Sequence, residues 1–273
     1  MTAQSGFGGK SNCLKRAAHY LKRAAEFSIE SEPSLNTFHA WARVLEVPDS
    51  TGRPEYEQEL QTAVMERLLA IRADLTLARK LLLNSIYPPD IYSSAFDKAL
   101  MVTSGQYLAL GWSSIRQLLT EDVVSVLRLC ATAIGDEERE IAVDELEAII
   151  AMLSDLEAVV SAAELDADVK SLFYDQIAIL RRALREYPVR GAQAIRQAFY
   201  IAVGEWYDRN GDSRASKAGA SKLAARFNDV MVEVQRVLAL AKTGESLIAG
   251  APGVIERIGN GIDAVRRALT SGS

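Results

Sequence analysis

Residues 136–187 read DEEREIAVDELEAIIAMLSDLEAVVSAAELDADVKSLFYDQIAILRRALREY, and this stretch decides the fold class. From about Asp136 to Ala163, the residues Ile141, Ile149, Met152, Leu153, Leu156, Val160 and Ala163 fall within one broad arc of an α-helix. Glu140, Asp144, Glu147 and Asp155 lie on the other side. The cluster Asp136-Glu137-Glu138 opens the run, where negative charge suits the positive end of a helix dipole. From about Asp168 to Tyr187, the residues Val169, Phe173, Ile177, Leu180, Leu184 and Tyr187 share a second arc. Lys170, Arg181, Arg182 and Arg185 take its polar side, and Pro188 is expected to end the helix. Two amphipathic helices joined by a short turn near residues 165–168 predict an antiparallel helical hairpin.

Charge is segregated along this region. Residues 136–168 hold twelve acids and one base, a net charge of −11, whereas residues 170–226 hold eleven bases and five acids, a net of +6. Over all 273 residues the net charge is −5, which argues against a general nucleic-acid binder. With 49% hydrophobic and 25% charged residues the composition is that of a folded globular chain.

Outward from the hairpin, helical spacing recurs. Leu14-Lys15-Arg16-Ala17-Ala18-His19-Tyr20 is followed by Leu21-Lys22-Arg23-Ala24-Ala25-Glu26-Phe27, a seven-residue repeat. Leu14, Ala18, Leu21, Ala25 and Ser28 then share a face, with Lys15, Arg16, Lys22 and Arg23 opposite. Such a helix either packs on the body through its Leu and Ala stripe or lies on an anionic surface. Pro33 and Ser34 are read as starting a helix that carries Leu35, Phe38, Trp41, Ala42 and Leu45. Residues 48–54 read as a loop. A long helix over about 55–84 has Leu60, Val64, Leu68, Ile71, Leu75, Ala78 and Leu82 on its seam. Helices follow near 91–110 and 120–134, the second capped by Thr120 and closed by Gly135. Further helices are expected over 189–207, with Ile195, Phe199, Ala202 and Trp206 inward, and over 222–242.

The expected organisation is a leader over 1–9, an N-terminal helical region over 10–134, the central hairpin and following helix over 135–209, and C-terminal helices and tail over 210–273. The leader has no apolar core and so is no secretory signal. No apolar run reaches the length of a membrane span. Cys13 and Cys130 are too few for a disulfide framework and fit a reducing cytoplasm.

Familiar chemistries fail on spacing. Gly6-Phe7-Gly8-Gly9-Lys10-Ser11 ends like a phosphate-binding loop, but Gln4 stands where the first glycine belongs and no strand precedes it. Asp208-Arg209-Asn210-Gly211-Asp212 starts like a calcium loop, but Ser213 and Gly219 occupy the positions that need Gly and Glu. Glu140, Asp144 and Glu147 lack the Glu-x-x-His partner of a bundle metal site, and the histidines are His19 and His39 alone. There is no Gly-x-Ser-x-Gly elbow. Trp41, Trp112, Trp206, Tyr200 and Tyr207 read as core or interface anchors rather than a base-stacking platform.

The segment Leu180-Arg181-Arg182-Ala183-Leu184-Arg185-Glu186-Tyr187-Pro188-Val189-Arg190-Gly191-Ala192, running on to Ile195-Arg196 and Gly204, resembles a segment of uncharacterised bacterial helical proteins. The resemblance covers about residues 120–206. It implies a bacterial all-α protein and brings no activity and no site residue.

The sequence thus predicts an all-α multi-helix bundle of long amphipathic helices and antiparallel hairpins, with no cofactor and no catalytic or metal residue. The expected function is non-enzymatic, through contacts with another protein or a second copy. Its candidate surface is Lys15, Arg16, Lys22, Arg23, Glu140, Asp144, Glu147, Arg181, Arg182 and Arg185. Two alternatives stand beside it: an enzyme or ligand binder with a site inside the bundle, and a helical effector with peripheral membrane contact through residues 247–255.

Overall fold

The computed structural model describes residues 12–27, 34–47, 54–136, 138–210 and 218–241. These residues are all-α. The helices are α1 (Cys13–Glu26), α2 (Thr37–Val44), α3 (Pro54–Leu82), α4 (Pro89–Val102), α5 (Trp112–Arg116) and α6 (Glu121–Ala133). They continue with α7 (Val143–Ala162), α8 (Ala167–Arg190), α9 (Ala192–Asn210) and α10 (Ala218–Leu240). The chain divides into two compact units, one of residues 1–143 and 183–195, the other of residues 144–182 and 196–273.

In the first unit α1 is the central element, packed against α2, α3 and α6, while α4 packs on α3 and α6. The expected Leu and Ala stripe is buried at Leu14, Ala18 and Leu21, but Cys13, Ala17, Tyr20 and Ala24 are buried as well. Small side chains let neighbours close on α1 from several sides, so it is a core helix rather than a one-faced surface helix. Asn12 fixes both its start and its neighbour. Its Oδ1 accepts the Lys15 N–H at 2.8 Å, and its Nδ2 donates to the Ala131 and Ile134 carbonyls at 3.2 and 3.1 Å, at the end of α6. The seam read along α3 is buried at all seven positions, Leu60, Val64, Leu68, Ile71, Leu75, Ala78 and Leu82.

The boundaries differ from the sequence reading in three places. α2 starts at Thr37, because the Asn36 side chain caps it by accepting the His39 N–H at 2.9 Å; Leu35 lies before the helix. The helix expected over 91–110 ends at Val102, where the Thr103 hydroxyl bonds the Ala99 carbonyl at 2.8 Å. The chain beyond it runs back along the entry to α2, with Thr37 N–H on Leu110 O and Trp112 N–H on Leu35 O. That path seats Trp112 edge-on to Trp41 at 5.8 Å between ring centroids, and both rings are fully buried. Thr120 caps α6 as read, whereas Gly135 takes no left-handed turn.

The third difference lies at the hairpin. Residues 138–142 are not helical and α7 begins only at Val143. α8 runs through Pro188 to Arg190 and stops at Gly191, whose φ of 63° supplies the left-handed turn and whose N–H reaches the Tyr187 carbonyl at 2.7 Å.

In the second unit α7 and α8 form the antiparallel hairpin. Arg181 pairs with Glu157 at 2.6 Å and donates to Ser154 Oγ at 3.0 Å, while Lys170 near the turn donates to the Ser161 carbonyl at 3.3 Å. Leu146, Ile149, Leu153, Leu156 and Val160 of α7 are buried, as are Phe173, Ile177 and Leu180 of α8. α10 adds Leu223, Phe227, Val230, Val234 and Val237, with Phe227 edge-on to Phe173 at 5.9 Å.

Candidate functional site

Two features of the first unit stand out once its apolar packing is accounted for. One is a buried ion cluster and the other an outward apolar face on α3.

The cluster gathers four separated parts of the chain around Arg16. That residue is 5% exposed. Its Nε and Nη2 fork onto Asp74 of α3 at 3.0 and 3.3 Å, and its Nη1 donates to Glu138 at 3.2 Å. Glu138 in turn accepts the Ala192 N–H on both carboxylate oxygens, at 3.1 and 3.0 Å. A carboxylate at the first N–H of α9 satisfies a donor that the helix itself leaves open and meets the positive end of its dipole. Gly191 is required there. A Cβ at that position would stand 2.9 Å from Arg16 Nη1 and closer still to Glu138, on a backbone at positive φ. Beside it the fully buried Tyr187 hydroxyl accepts the Ile141 N–H at 2.8 Å. Burial pushes that phenol up to about 12, with Glu138 and Glu140 adding to the rise. These long-range partners explain why residues 138–142 leave the helix: the Ile141 N–H and the Glu138 side chain bond elsewhere.

A second buried base, Arg67, donates to the Leu45 carbonyl at 2.5 Å, and burial lowers its pKa. Nearby Tyr20 is also pushed up to about 12 by burial, against the lowering influence of Arg23. In the second unit, buried Gln176 donates to Glu205. The inward polar groups of the cluster thus bond one another and the backbone, which is the pattern of a structural network. Among the described residues, no three His, Cys, Asp or Glu side chains are grouped to hold a metal ion, and no helix is long and apolar enough to cross a membrane.

The charged residues read as a surface are placed differently from one another. Arg16 is corrected outright: the pull of two carboxylates draws it into the core, and it is no surface residue. Lys15 bonds Asp136 at 2.6 Å, Lys22 meets Glu26 at 3.5 Å, and Arg23 meets Glu46 at 2.7 Å. Glu140, Asp144 and Glu147 are exposed, but Glu140 precedes α7, so the three do not share one helical face. Arg182 and Arg185 are exposed, whereas Arg181 is half-buried on Glu157. His39 is exposed and bonds Asn36, and His19 stacks edge-on to Tyr20. The phosphate-loop-like leader, most of the calcium-like loop and residues 247–255 lie outside the described residues.

The outward face of α3 was missed. Leu69, Leu77 and Leu81 are 57%, 44% and 44% exposed, and Ala73 between them is exposed too. Spaced by four, these residues form one ridge on the side opposite the buried seam. The signal is present in the sequence: Leu68-Leu69 and Leu81-Leu82 put leucine on both faces of the same helix. Leu83 and Ile86, just beyond the helix, extend the exposed apolar surface.

In comparisons with protein-family models, with characterised proteins and with solved structures, the chain matches none.

Proposed function

We propose that this chain is a non-enzymatic helical interaction protein of bacterial type that works in the cytoplasm by binding another protein chain. The observation that carries the reading is the α3 ridge of Leu69, Ala73, Leu77 and Leu81, solvent-facing on a helix whose opposite face already holds the core. Contiguous exposed apolar side chains rimmed by polar ones are one mark of an association surface. The exposed charges Glu140, Asp144, Glu147, Arg182 and Arg185 serve orientation and encounter rate in this account. Two buried free thiols, Cys13 and Cys130, support a reducing compartment.

The test is affinity capture from the source cell with the full chain and with a Leu69→Asp/Leu77→Asp variant of equal melting temperature. A partner held by the first and lost by the second, and reproduced with purified components, supports the reading. Turnover in an unbiased hydrolase or transferase screen, abolished by one point substitution, overturns it.

A further inference from the structure

We infer that the corner where α1, α2 and α3 meet beside the end of α8 is a binding site for a phosphate group, received by Arg67, Tyr20 and Arg185. The site lies within the first unit and is independent of the α3 ridge.

Arg16 and Arg67 are both buried in this unit, but they are neutralised differently. Arg16 is 5% exposed and takes the carboxylates of Asp74 and Glu138. Arg67 is 9% exposed, yet among the described residues no carboxylate comes within ion-pair distance of it. Its Nη1 donates to the Leu45 carbonyl at 2.5 Å, at the C-terminal end of α2. The negative end of that helix offsets part of the charge, but the guanidinium fork has further N–H donors to satisfy. A buried cation held by a neutral acceptor is costly, and burial lowers the Arg67 pKa accordingly.

The carboxylates nearby are engaged elsewhere. Glu46, next in the chain to Leu45, is held by Arg23 at 2.7 Å, and Glu186 of α8 is held by Arg190 at 2.6 Å. Glu46 closes α2 with a left-handed backbone at φ 53°, which a residue with a side chain seldom adopts and which gathers at ligand clamps. The Arg23 guanidinium carbon stands 6.0 Å from the centre of the Tyr20 ring. Tyr20 is 5% exposed, and its hydroxyl has no hydrogen-bond partner among the described residues. Arg185, exposed on α8 beside Glu186, has none either. Tyr20, Glu186, Arg185 and Glu46 all act on the charge of Arg67, so these groups share one neighbourhood. There Arg23, Arg67, Arg185 and Arg190 stand against Glu46 and Glu186, an excess of positive charge. The polar atoms sealed from solvent without a partner are Tyr92 Oη, Trp112 Nε1 and Gln176 Oε1 among the described residues. The Tyr20 hydroxyl and the Arg67 fork are not of that kind, so a small ion in solvent can reach them.

The donors come from three helices: a phenol on α1, a fork on α3 and a second guanidinium on α8. A carboxylate presents its oxygens in one plane, whereas a phosphate presents them in several directions and suits donors that converge this way. Arginine is also the side chain whose fork matches phosphate oxygens in pairs.

The experiment is isothermal titration calorimetry of the full chain with inorganic phosphate at fixed ionic strength. Acetate and chloride are the comparison anions, and glycerol phosphate is the monoester. The wild type is expected to bind phosphate at millimolar concentration or below, and to melt higher in its presence. Tyr20→Phe keeps the ring and Arg185→Gln alters an exposed side chain, so both should fold. They should weaken binding about tenfold and about threefold respectively. Arg67→Met should abolish binding; if it does not fold, the other two variants still decide. Arg128→Gln, exposed on α6, should bind as the wild type does. Binding of inorganic phosphate with rejection of the monoester assigns a free ion, and binding of both assigns the phosphate end of a larger molecule; either supports the site. A wild type with neither a phosphate heat nor a melting shift overturns it. So does acetate or chloride acting as well as phosphate, or binding unmoved by Tyr20→Phe and Arg185→Gln.

Discussion

Replacing Arg16 by Met separates two pictures of α1. On the basic-face reading, Arg16 is a solvated surface charge, and its loss changes stability by no more than about 0.5 kcal/mol. In the structure its guanidinium is buried and holds two carboxylates, Asp74 through a two-nitrogen fork and Glu138 through Nη1. Met fills much of the volume of the aliphatic stem but removes the guanidinium that both acids bond. Glu138 keeps the Ala192 N–H, which offsets part of the loss. Removing one partner of a buried pair costs about 3–5 kcal/mol. For a chain of this size about 1 kcal/mol moves the melting temperature by about 2–4 °C, so a fall of about 6–20 °C follows. Lys15→Met is the matched control, because the Lys15–Asp136 pair is solvent-exposed and such pairs contribute about 0–1 kcal/mol. The assay is circular dichroism melting with urea titration of both variants at neutral pH. A drop for Arg16→Met no larger than that for Lys15→Met would refute the buried cluster.

Three other substitutions probe neighbouring parts of the account. Leu75→Ala should cost about 2–5 kcal/mol in urea titration because Leu75 is fully buried, whereas Leu77→Ala, on the opposite side of α3, should stay within about 0.5 kcal/mol. Gly191→Ala should lose about 1–3 kcal/mol from the left-handed backbone alone, and more from displacing Glu138; a loss below that range would contradict the tight corner. Tyr187 gives a pH prediction. Its folded pKa of about 12 lies above the unfolded value near 10, so the neutral phenol binds its proton more tightly in the fold. The stability it contributes is complete below about pH 10 and is lost as pH rises toward 12, a span worth about 2–3 kcal/mol. Stability measured against pH in wild type and Tyr187→Phe should show this alkaline loss shrinking in the variant. An identical alkaline slope would contradict it.

The apolar half of the fold was legible because burial follows period. Every seam residue of α3 lies inside, and so do Leu153, Leu156, Phe173, Ile177 and Leu180 of the hairpin. What period cannot carry is a polar residue whose partner is distant in sequence. Glu138 sits in an acidic run that suits a helix start, yet its bonds go to Arg16 and Ala192, 122 and 54 residues away. Tyr187 counted as one more apolar position, although its hydroxyl takes the Ile141 N–H that a helix would have used. Pro188 was read as a stop, but the stop is Gly191, where positive φ and the Glu138 carboxylate coincide. Arg16 shares its repeat position with Arg23, and nothing local distinguishes the buried one from the half-exposed one. The α3 ridge is hidden for a different reason: helical period assigns the inward seam, and it does not say that the leucines on the other face stay exposed.

Whether α3 truly presents two apolar faces, one holding the fold and one open to association, is the claim on which the functional account turns. Hydroxyl-radical footprinting of the full chain tests it directly, first at high dilution and then at high concentration and in source-cell extract. At high dilution Leu69, Leu77 and Leu81 should be oxidised readily while Leu68, Leu75 and Leu82 are spared, and under associating conditions the outer three should become protected. Equal labelling of inner and outer leucines, or outer leucines that are never protected, would contradict the account.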